Sequence, residues 1–396
     1  MRQSLHQDEA DAVVLGGGPA GCAAALTLAR QGYAVIVIER SAYNAPRIGE
    51  TLPPMARQLL ADLGVWDRFV RQEHLPAFGI CSAWGSENLY ENDFIFNPYG
   101  HGWHIDRAQF DRMLALAAAE AGADLRCDAQ LISWAQHASG EWDLEIGSPE
   151  GVRHWRTRFV IDASGRAASF ARKQGARRIV IDHLIGVAAF LSTSEASPDS
   201  RTLVEAVEQG WWYSARLPNS QLVTAYMTDA DLYAARSRGL TASWEAQCRE
   251  ARHTHARAQD HSIARAPFIF AANSLRLDSA AGRNWLAVGD AAMAFDPLSS
   301  QGVCQALKSG RLAARLIHDQ WAGDQTAMPG YTQIVKRSFE NFLNAREQYY
   351  GREKRWPHSI FWRRRHAGSP PDIIARDVAP ARGRRGLRFS QPRCRA

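Results

Sequence analysis

The sequence predicts an α/β protein in which a Rossmann-like nucleotide-binding domain carries an inserted antiparallel-sheet substrate domain and a C-terminal helical region. Residues 11–16 are a short apolar run that ends in glycine, residues 19–32 are a helical stretch with proline in its first turn, and residues 33–40 are a second apolar run. This order is typical of the β-α-β unit of a parallel sheet. Residues 77–98 instead alternate polar and apolar side chains around glycines, as antiparallel strands do.

The remaining elements follow from apolar periodicity and from residues that start and stop helices. Further helices are predicted over 55–72, 107–122, 243–260 and 302–321, and helical segments continue to about residue 365. Strands are predicted over 142–146 and 155–165, a strand running into a turn over 284–292, and a β-sheet over 183–228. We therefore expect a discontinuous nucleotide-binding domain (1–75, 100–182 and 280–322), a substrate-binding domain (76–99 and 183–279), and a C-terminal helical region with a basic tail (323–396).

Composition is that of an ordinary globular enzyme. Of the 396 residues, 46% are hydrophobic and 22% are charged, and no run of about 18 apolar residues occurs that could span a bilayer. The N-terminal segment carries acids and lacks the apolar core of a signal peptide. The six cysteines are scattered without a Cys-x-x-Cys pair, so we expect reduced thiols, a cytoplasmic protein and no metal site.

The positive charge is concentrated at the C-terminus. The net charge is +6, but residues 351–396 contain twelve arginines and one lysine against three acids, a balance of +10, so the preceding residues carry −4. No zinc-finger spacing, RNA-binding signature or basic stripe occurs in the body of the chain, and we expect no nucleic-acid partner. Two interpretations stay open, a solvated tail and a tail that docks on an acidic protein.

A glycine-rich loop follows the first predicted strand. Gly16, Gly18 and Gly21 match the G-x-G-x-x-G fingerprint, in which the first glycine allows a tight turn, the second admits a pyrophosphate and the third lets helix pack on strand. The helix N-terminus then offers free N–H groups and partial positive charge to the phosphates. Glu39, at the end of the second strand with Arg40 beside it, is placed to accept the ribose hydroxyls. The loop therefore predicts a dinucleotide site.

A second motif distinguishes FAD from NAD. The strand that begins at 284 ends in Asp290, then Asp296 and Pro297 follow, and Gly302 and Val303 open the long predicted helix. An aspartate at such a turn can bind ribityl hydroxyls, and a helix N-terminus aimed at the pyrimidine edge of a flavin would stabilise negative charge on the reduced ring. NAD has no ribityl chain, so the sequence predicts FAD as the cofactor.

Five motifs in order resemble the FAD-dependent monooxygenase superfamily typified by p-hydroxybenzoate hydroxylase, and within it the flavin-dependent halogenases. These are GGGPAG, RIGETLPP at 47–54, GWHIDRAQFDRML at 102–114, DASGR at 162–166 and GDAAMAFDPLSSQG at 289–302. The resemblance covers about residues 10–320. It implies that Arg47 and Thr51 lie near the FAD, that Arg107 contacts it, and that Asp162 belongs to the second FAD-binding strand. The alternative for Arg107 is a surface residue in the first turn of a helix.

The chain departs from the halogenases where their chemistry is concentrated. The lysine that handles hypohalous acid in that family would come from about residues 75–100, and the first 172 residues contain no lysine. Ser299 stands where the tryptophan halogenases have a catalytic glutamate, and their W-x-W-x-I-P signature is reduced to Trp211-Trp212-Tyr213 and the residues after it. These departures argue against halogenation.

What the resemblance then implies is monooxygenase chemistry. Reduced FAD reacts with O₂ to give a C4a-hydroperoxide, and an electron-rich aromatic ring held over the flavin becomes hydroxylated while bulk water is excluded. Glu50 and Asp296 are candidates for acid–base catalysis, and the alternative for each is a turn or cap residue. His104, Trp211, Trp212 and Tyr213 are candidates for the substrate pocket, although aromatic residues at strand spacing often belong to a core.

Two segments are similar to a narrower group, the flavoproteins that modify peptidyl tryptophan during tryptophylquinone biogenesis, as for quinohemoprotein amine dehydrogenase. These segments are residues 81–107 and 210–218. The similarity implies hydroxylation or dihydroxylation of a specific tryptophan in a protein substrate ahead of cysteine tryptophylquinone formation, with other maturation enzymes as further partners and a docking function for the basic tail.

Several alternatives stay open from the sequence. Reducing equivalents could come from NAD(P)H directly or from a separate flavin reductase, because no second nucleotide fingerprint is visible. Other functions compatible with the motifs are a flavin-dependent halogenase, a hydroxylase of small aromatic molecules, a reductase of the geranylgeranyl-reductase type, and a non-catalytic flavoprotein that escorts a partner.

Overall fold

The structure, a computed structural model, describes residues 8–192, 199–234, 239–324, 326 and 328–367. Its strands, in chain order, are β1 (Asp8–Leu15), β2 (Val35–Ile38), β3 (Thr51–Leu52), β4 (Leu75–Ala77), β5 (Gly79–Ala83), β6 (Tyr90–Asp93), β7 (Gly102–His104), β8 (Asp124–Arg126), β9 (Gln130–Gln136), β10 (Trp142–Ser148), β11 (Gly151–Asp162), β12 (Arg178–Val180), β13 (Leu184–Ser192), β14 (Thr202–Val207), β15 (Gly210–Arg216), β16 (Gln221–Asp229), β17 (Ser262–Ala271), β18 (Leu275–Leu277), β19 (Ala281–Gly282), β20 (Trp285–Ala287) and β21 (Met293–Ala294). Its helices are α1 (Pro19–Arg30), α2 (Ala56–Asp62), α3 (Trp66–Val70), α4 (Arg107–Glu120), α5 (Ser169–Lys173), α6 (Ala230–Ala234), α7 (Leu240–Glu250), α8 (Arg252–Ala258), α9 (Gly302–Trp321), α10 (Tyr331–Tyr350) and α11 (Ile360–His366). None of the helices within these residues is long and apolar enough to cross a membrane.

An eight-stranded sheet forms the nucleotide-binding half. Its parallel core has the order β20-β11-β1-β2-β8, and β19, β10 and β9 extend it by antiparallel pairing. Ala12 of β1 lies opposite Phe159 of β11 on one side and Val35 of β2 on the other. Residues 12–15 and 35–38 are buried, as strands covered on both faces are. The predicted β-α-β unit is therefore confirmed, with α1 as the crossover helix.

A seven-stranded sheet forms the second half, in the order β17-β13-β16-β15-β14-β5-β6. All its pairs are antiparallel except β14 with β5. It unites two strands from residues 79–93 with strands from residues 184–271, which lie far apart in the sequence. Two three-stranded sheets, β3-β7-β4 and β12-β18-β21, stand beside the two large ones. The fold class is confirmed, whereas the boundaries assigned to the domains stay a prediction.

Helix α10 packs mainly on the core of the nucleotide-binding half, and its last turn packs together with α11 on the second sheet. Trp362 is fully buried, and its indole N–H donates to Val207 O at 3.0 Å. Arg364 and Arg365 both bind the buried carboxylate of Asp229, each at 2.8 Å. Burial acts to raise the pKa of Asp229, but the two guanidinium groups outweigh it and lower that pKa. The arginines at 364 and 365 are therefore part of the folded body, while residues 368–396, where a basic tail was predicted, lie outside the described residues.

Some predicted elements differ from the structure. The helix expected over 55–72 is divided into α2 and α3, because Gly64 takes a left-handed φ of +61° and ends the first of them. The helix expected over 243–260 is likewise divided at Ala251, whose backbone is extended. The strands that were not predicted are β3, β7, β8, β9, β12, β17, β18, β19 and β21. Most are short, and β9 is largely exposed, so they lack the apolar alternation that identifies a strand.

Close backbone contact joins α9 to α1. A Cβ atom on Gly310 of α9 would lie 2.1 Å from the carbonyl oxygen of Ala20 in α1, so only glycine allows the two helices to approach this closely. The residues of α9 that face this contact are buried, among them Val303, Ala306 and Ala313.

We predict that Gly310→Ala lowers the free energy of unfolding by about 1–3 kcal/mol, because α9 must move away from α1 to admit the methyl group. Chemical denaturation of the FAD-free protein measures the change. The matched control is Gly330→Ala before α10, where a Cβ would meet nothing within 4 Å. Equal stability of the two variants would contradict the predicted steric role of Gly310.

Candidate functional site

An elongated cavity of about 740 Å³ lies between the two large sheets. One end is lined by the glycine loop, Glu39, Arg40 and Arg47, and the other by Glu50, Thr51, Tyr213 and Phe270. Its volume is within the range of about 300–1,000 Å³ that small-molecule and cofactor sites occupy. A polar depression of about 750 Å³ near Arg177 and Arg283 is lined by none of the predicted site residues. We therefore regard the elongated cavity as the functional site.

The glycine loop has the geometry of a phosphate cradle. Gly16 has a φ of +117°, and a Cβ there would lie 2.3 Å from Ala163 O; a Cβ on Gly21 would lie 1.9 Å from Gly16 O. These two glycines allow β1, α1 and the turn after β11 to touch. Gly18 differs, because a Cβ on it would meet no protein atom within 4 Å. Gly18 faces the cavity and precedes an α1 N-terminus without a side-chain cap, so the free N–H groups of α1 face the same space.

Glu39 is held in a fixed position at the end of β2. Its Oε2 accepts from the N–H of Gly17 at 2.8 Å, and its Oε1 accepts from the N–H of Ser41 at 3.1 Å. The Tyr43 hydroxyl donates to Gly17 O at 2.8 Å and fixes the loop from the other side. Sequence reasoning missed Tyr43, which has no spacing signature. Arg40 lines the same end of the cavity.

Two arginines fasten the 47–51 segment over the cavity through a buried carboxylate. Asp111, fully buried in α4, accepts from Arg47 at 2.8 Å and from Arg107 at 3.1 Å. Arg107 also donates to Ile48 O at 2.7 Å. Sequence reasoning missed Asp111, although its spacing of four residues from Arg107 on a helix was a usable signal.

Three side chains form a compact polar group at the far end of the cavity. The hydroxyls of Thr51 and Tyr213 are 2.7 Å apart, and Glu50 Oε2 accepts from the N–H of Gly49 at 3.0 Å. Glu50 is only 2% exposed, and its Oε1 has no hydrogen-bond partner in the described protein. Burial raises the pKa of Glu50 to about 7, and burial together with the nearby Glu50 charge raises the pKa of Tyr213 well above its usual value.

The second motif forms the remaining wall. Asp290 lines the cavity with its carboxylate 3.6 Å from the Nε of Arg166. Its side chain is 41% exposed, but the open surface faces the cavity, and burial within the protein raises its pKa. Pro297 lies beside it, and Gly302 and Val303 begin α9 without a side-chain cap, so this N-terminus also has free N–H groups at the cavity.

Comparison with known proteins agrees with this geometry. Residues 9–324 match the family described as an FAD binding domain. The chain belongs to that family. FAD is therefore the cofactor, and the open face of Gly18, the two uncapped helix N-termini and the fixed carboxylate of Glu39 fit its pyrophosphate and ribose.

Individual relatives share most of the chain. It is 32% identical over 368 residues to LodB of Marinomonas mediterranea, described as an FAD-dependent oxidoreductase, covering 91% of this chain and 97% of that one. The structure of the myxobacterial chondrochloren halogenase CndH has a TM-score of 0.84 and 24% identity, covering 90% and 86% of the two chains. That of the peptidyl tryptophan dihydroxylase QhpG, essential for tryptophylquinone cofactor biogenesis, has a TM-score of 0.75 and 24% identity, covering 90% and 78%.

Two predicted site residues make structural hydrogen bonds within the protein: Asp162, which does not line the cavity, and Asp296, which does. Asp162 is fully buried and lies off the FAD cavity, where its carboxylate accepts from the N–H groups of Phe170 and Ala171 at the start of α5. Asp296 has both oxygens in use: Oδ1 accepts from Leu298 N–H at 3.0 Å, and Oδ2 accepts from Tyr350 OH at 2.8 Å and Arg346 at 3.2 Å. Asp296 thus caps the turn before α9, which is the structural alternative given for it, while its assignment as an acid–base catalyst stays a prediction.

Three of the four residues predicted for the substrate pocket are core residues. His104 is fully buried and bonds to the Thr202 hydroxyl at 2.9 Å, and burial lowers its pKa to about 3. Trp211 donates to the Tyr350 hydroxyl at 3.0 Å, beneath the C-terminal helices. Trp212 points to the opposite face of β15, where it stacks on Tyr226. Of the four residues, only Tyr213 lines the FAD cavity.

We predict that Gly18→Ala raises the dissociation constant of FAD at least tenfold and leaves the FAD-free fold intact. The methyl group enters the space of the pyrophosphate without touching protein, and the φ of −74° at Gly18 suits alanine. Titration of flavin fluorescence measures the affinity. Gly239→Ala before α7 is the control, since it has a similar backbone and equally open surroundings. Unchanged FAD affinity in Gly18→Ala would show that the FAD pyrophosphate does not bind at this loop.

Proposed function

We propose that this FAD enzyme is a monooxygenase that hydroxylates an aromatic ring, and that the ring is a specific tryptophan side chain of a protein substrate during cysteine tryptophylquinone biogenesis. Bound FAD supplies the activation of O₂. The observation that supports hydroxylation best is the group of Glu50, Thr51 and Tyr213, a proton-handling site without a lysine. The apolar side chains of Met227 and Phe270 line the same end of the cavity, as an aromatic substrate requires.

Halogenation is the second candidate, because several relatives carry that name, among them a tryptophan 2-halogenase of Chondromyces crocatus that is 25% identical over 342 residues. The cavity argues against it. None of the described residues that line it is lysine. Ser299, at the place of the glutamate in the tryptophan halogenases, donates its hydroxyl to Asp296 O at 3.0 Å and so completes a turn.

Glu50 is the residue that we assign to proton transfer. Glu50 lines the cavity, its buried Oε1 has no hydrogen-bond partner among the described residues, and a carboxyl group with a pKa of about 7 can both hold and release a proton at neutral pH. Tyr213 and Thr51 keep neutral hydroxyls beside it, which fixes a hydrogen-bonding direction without adding charge. Arg107, at the carbonyl of Gly49, keeps the segment that carries Glu50 over the site.

Intact-mass spectrometry tests the proposed reaction. The FAD-loaded enzyme, photoreduced so that no reductase is presupposed, is incubated with O₂, bromide and the precursor subunit of a cysteine tryptophylquinone amine dehydrogenase. We expect the precursor to gain one or two oxygen atoms at a tryptophan. A gain of bromine would establish halogenation instead, and an unchanged mass would refute the proposed substrate.

We predict that Glu50→Gln lowers the hydroxylation rate about 100-fold, within the 10²–10⁴ range for a general acid–base group. Burial raises the Glu50 pKa from 4.5 to about 7, so the group is neutral below pH 7 and negative above it. The wild-type rate should therefore change through pH 7, and the variant should lose that change. Exposed Glu340→Gln is the control. A merely structural Glu50 would leave the pH profile in place and lower only stability.

A further inference from the structure

Residues 78–99 carry an exposed apolar surface that the site does not use; we call it the aromatic edge. Six of the fifteen large hydrophobic side chains that are exposed in the described chain lie in this short segment, with 41–94% of their surface accessible: Phe78, Leu89, Tyr90, Ile95, Phe96 and Tyr99. Single exposed apolar residues are normal on a protein surface, whereas a cluster of them marks an interaction site.

The aromatic edge also has an open strand. β6 is the last strand of the seven-stranded sheet, and all four of its residues are exposed. The N–H of Phe94 donates inward to Phe78 O at 2.7 Å. Since backbone groups alternate in direction along a strand, the N–H groups of Glu91 and Asp93 point away from β5. No backbone hydrogen bond between described residues occupies them or the neighbouring carbonyls, so this edge can pair with a further strand.

The aromatic edge is joined to the FAD cavity through β7. The ring of Phe94 fills the space above Gly102, where a side chain would lie 3.5 Å from it. Gly102 begins β7, which pairs with the strand that contains Thr51. From β6 to β15, which carries Tyr213, is three strand spacings, or about 15 Å. A protein that places one residue in the cavity can therefore reach β6 with a neighbouring segment.

We propose that the aromatic edge docks an extended segment of the protein substrate by adding it as a strand to β6. The identity of the partner as the protein substrate rests on the proposed function, whereas the mode of docking rests on the open strand. Glu87, Glu91 and Asp93 give this edge an acidic character that Arg201, 2.6 Å from Glu91, only partly offsets. The docked strand therefore carries apolar side chains against Tyr90 and Phe96, and lysine or arginine beside them.

Substitutions at Asp93 separate strand addition from charge. Its φ of −79° and ψ of 144° suit proline, so Asp93→Pro removes the outward N–H and leaves the β5–β6 pairing in place. Asp93→Ala removes the same charge and keeps the N–H. The first probe is a fluorescein-labelled octapeptide of alternating valine and arginine, and the second is the precursor subunit of the hydroxylation assay. FAD binding and thermal unfolding confirm that each variant is folded.

We expect Asp93→Pro and the double variant Ile95→Ser, Phe96→Ser to weaken peptide binding at least tenfold, and Asp93→Ala to weaken it less than threefold. Amide exchange of residues 90–93 should slow when the peptide binds. Equal binding by Asp93→Pro and Asp93→Ala, or no peptide binding to the wild type, would overturn the proposal. Slow amide exchange of residues 90–93 in the free monomer would also overturn it, because the chain itself would then cover β6. A dimer that Asp93→Pro dissociates would overturn it as well, because β6 would then pair with a second copy of the chain.

Peptide binding needs neither O₂ nor reduced flavin, so this test and the hydroxylation test can fail independently. Peptide binding without oxygen transfer would contradict the proposed reaction and leave the docking surface standing. If Asp93→Pro transfers oxygen to the precursor at the wild-type rate, the docking surface is contradicted and the proposed reaction stands.

Discussion

The backbone contact between β1, α1 and α9 is the constraint on which the rest of the site depends. Gly21 brings α1 against β1, Gly16 brings the end of β1 against Ala163 after β11, and Gly310 brings α9 against Ala20 of α1. The contacts allow two helix N-termini to face one cavity, which concentrates partial positive charge where a dinucleotide carries its negative charge. A side chain at any of these glycines would collide with backbone, which has little room to move.

The second constraint is a buried carboxylate, that of Asp111, which holds the 47–51 segment in place. The carboxylate of Asp111 binds two guanidinium groups, and one of these also holds the carbonyls of the 47–51 segment. A buried carboxylate with two such partners costs much to break, because removing one leaves an uncompensated charge. Glu50 sits on this segment without a charged partner of its own at hydrogen-bonding distance, which is why burial can raise its pKa.

The sequence predicted the fold class and the cofactor because those depend on local patterns. The glycine fingerprint, the β-α-β order and the helix at Gly302 are short-range features. What could not be predicted depends on contacts between distant segments. Trp211 and Trp212 have the same local pattern as Tyr213, but α10 covers the first, Tyr226 stacks on the second, and only the third reaches the cavity. Asp296 looked free because its partners Arg346 and Tyr350 follow some fifty residues later.

The bonds of Asp296 make the C-terminal helices part of the FAD site. Tyr350 and Arg346 of α10 bind the carboxylate of Asp296, the residue that starts the turn into α9. Arg346 also binds Asp182 at 3.1 Å. Arg365 of α11 lies over the Tyr350 ring and pairs with Asp229 at the end of β16. Because each of these charged side chains is buried or nearly so, the helices cannot separate from the sheet without exposing unpaired groups. Any shift of α10 therefore reaches the turn before α9, and with it the wall of the cavity that Pro297, Gly302 and Val303 form.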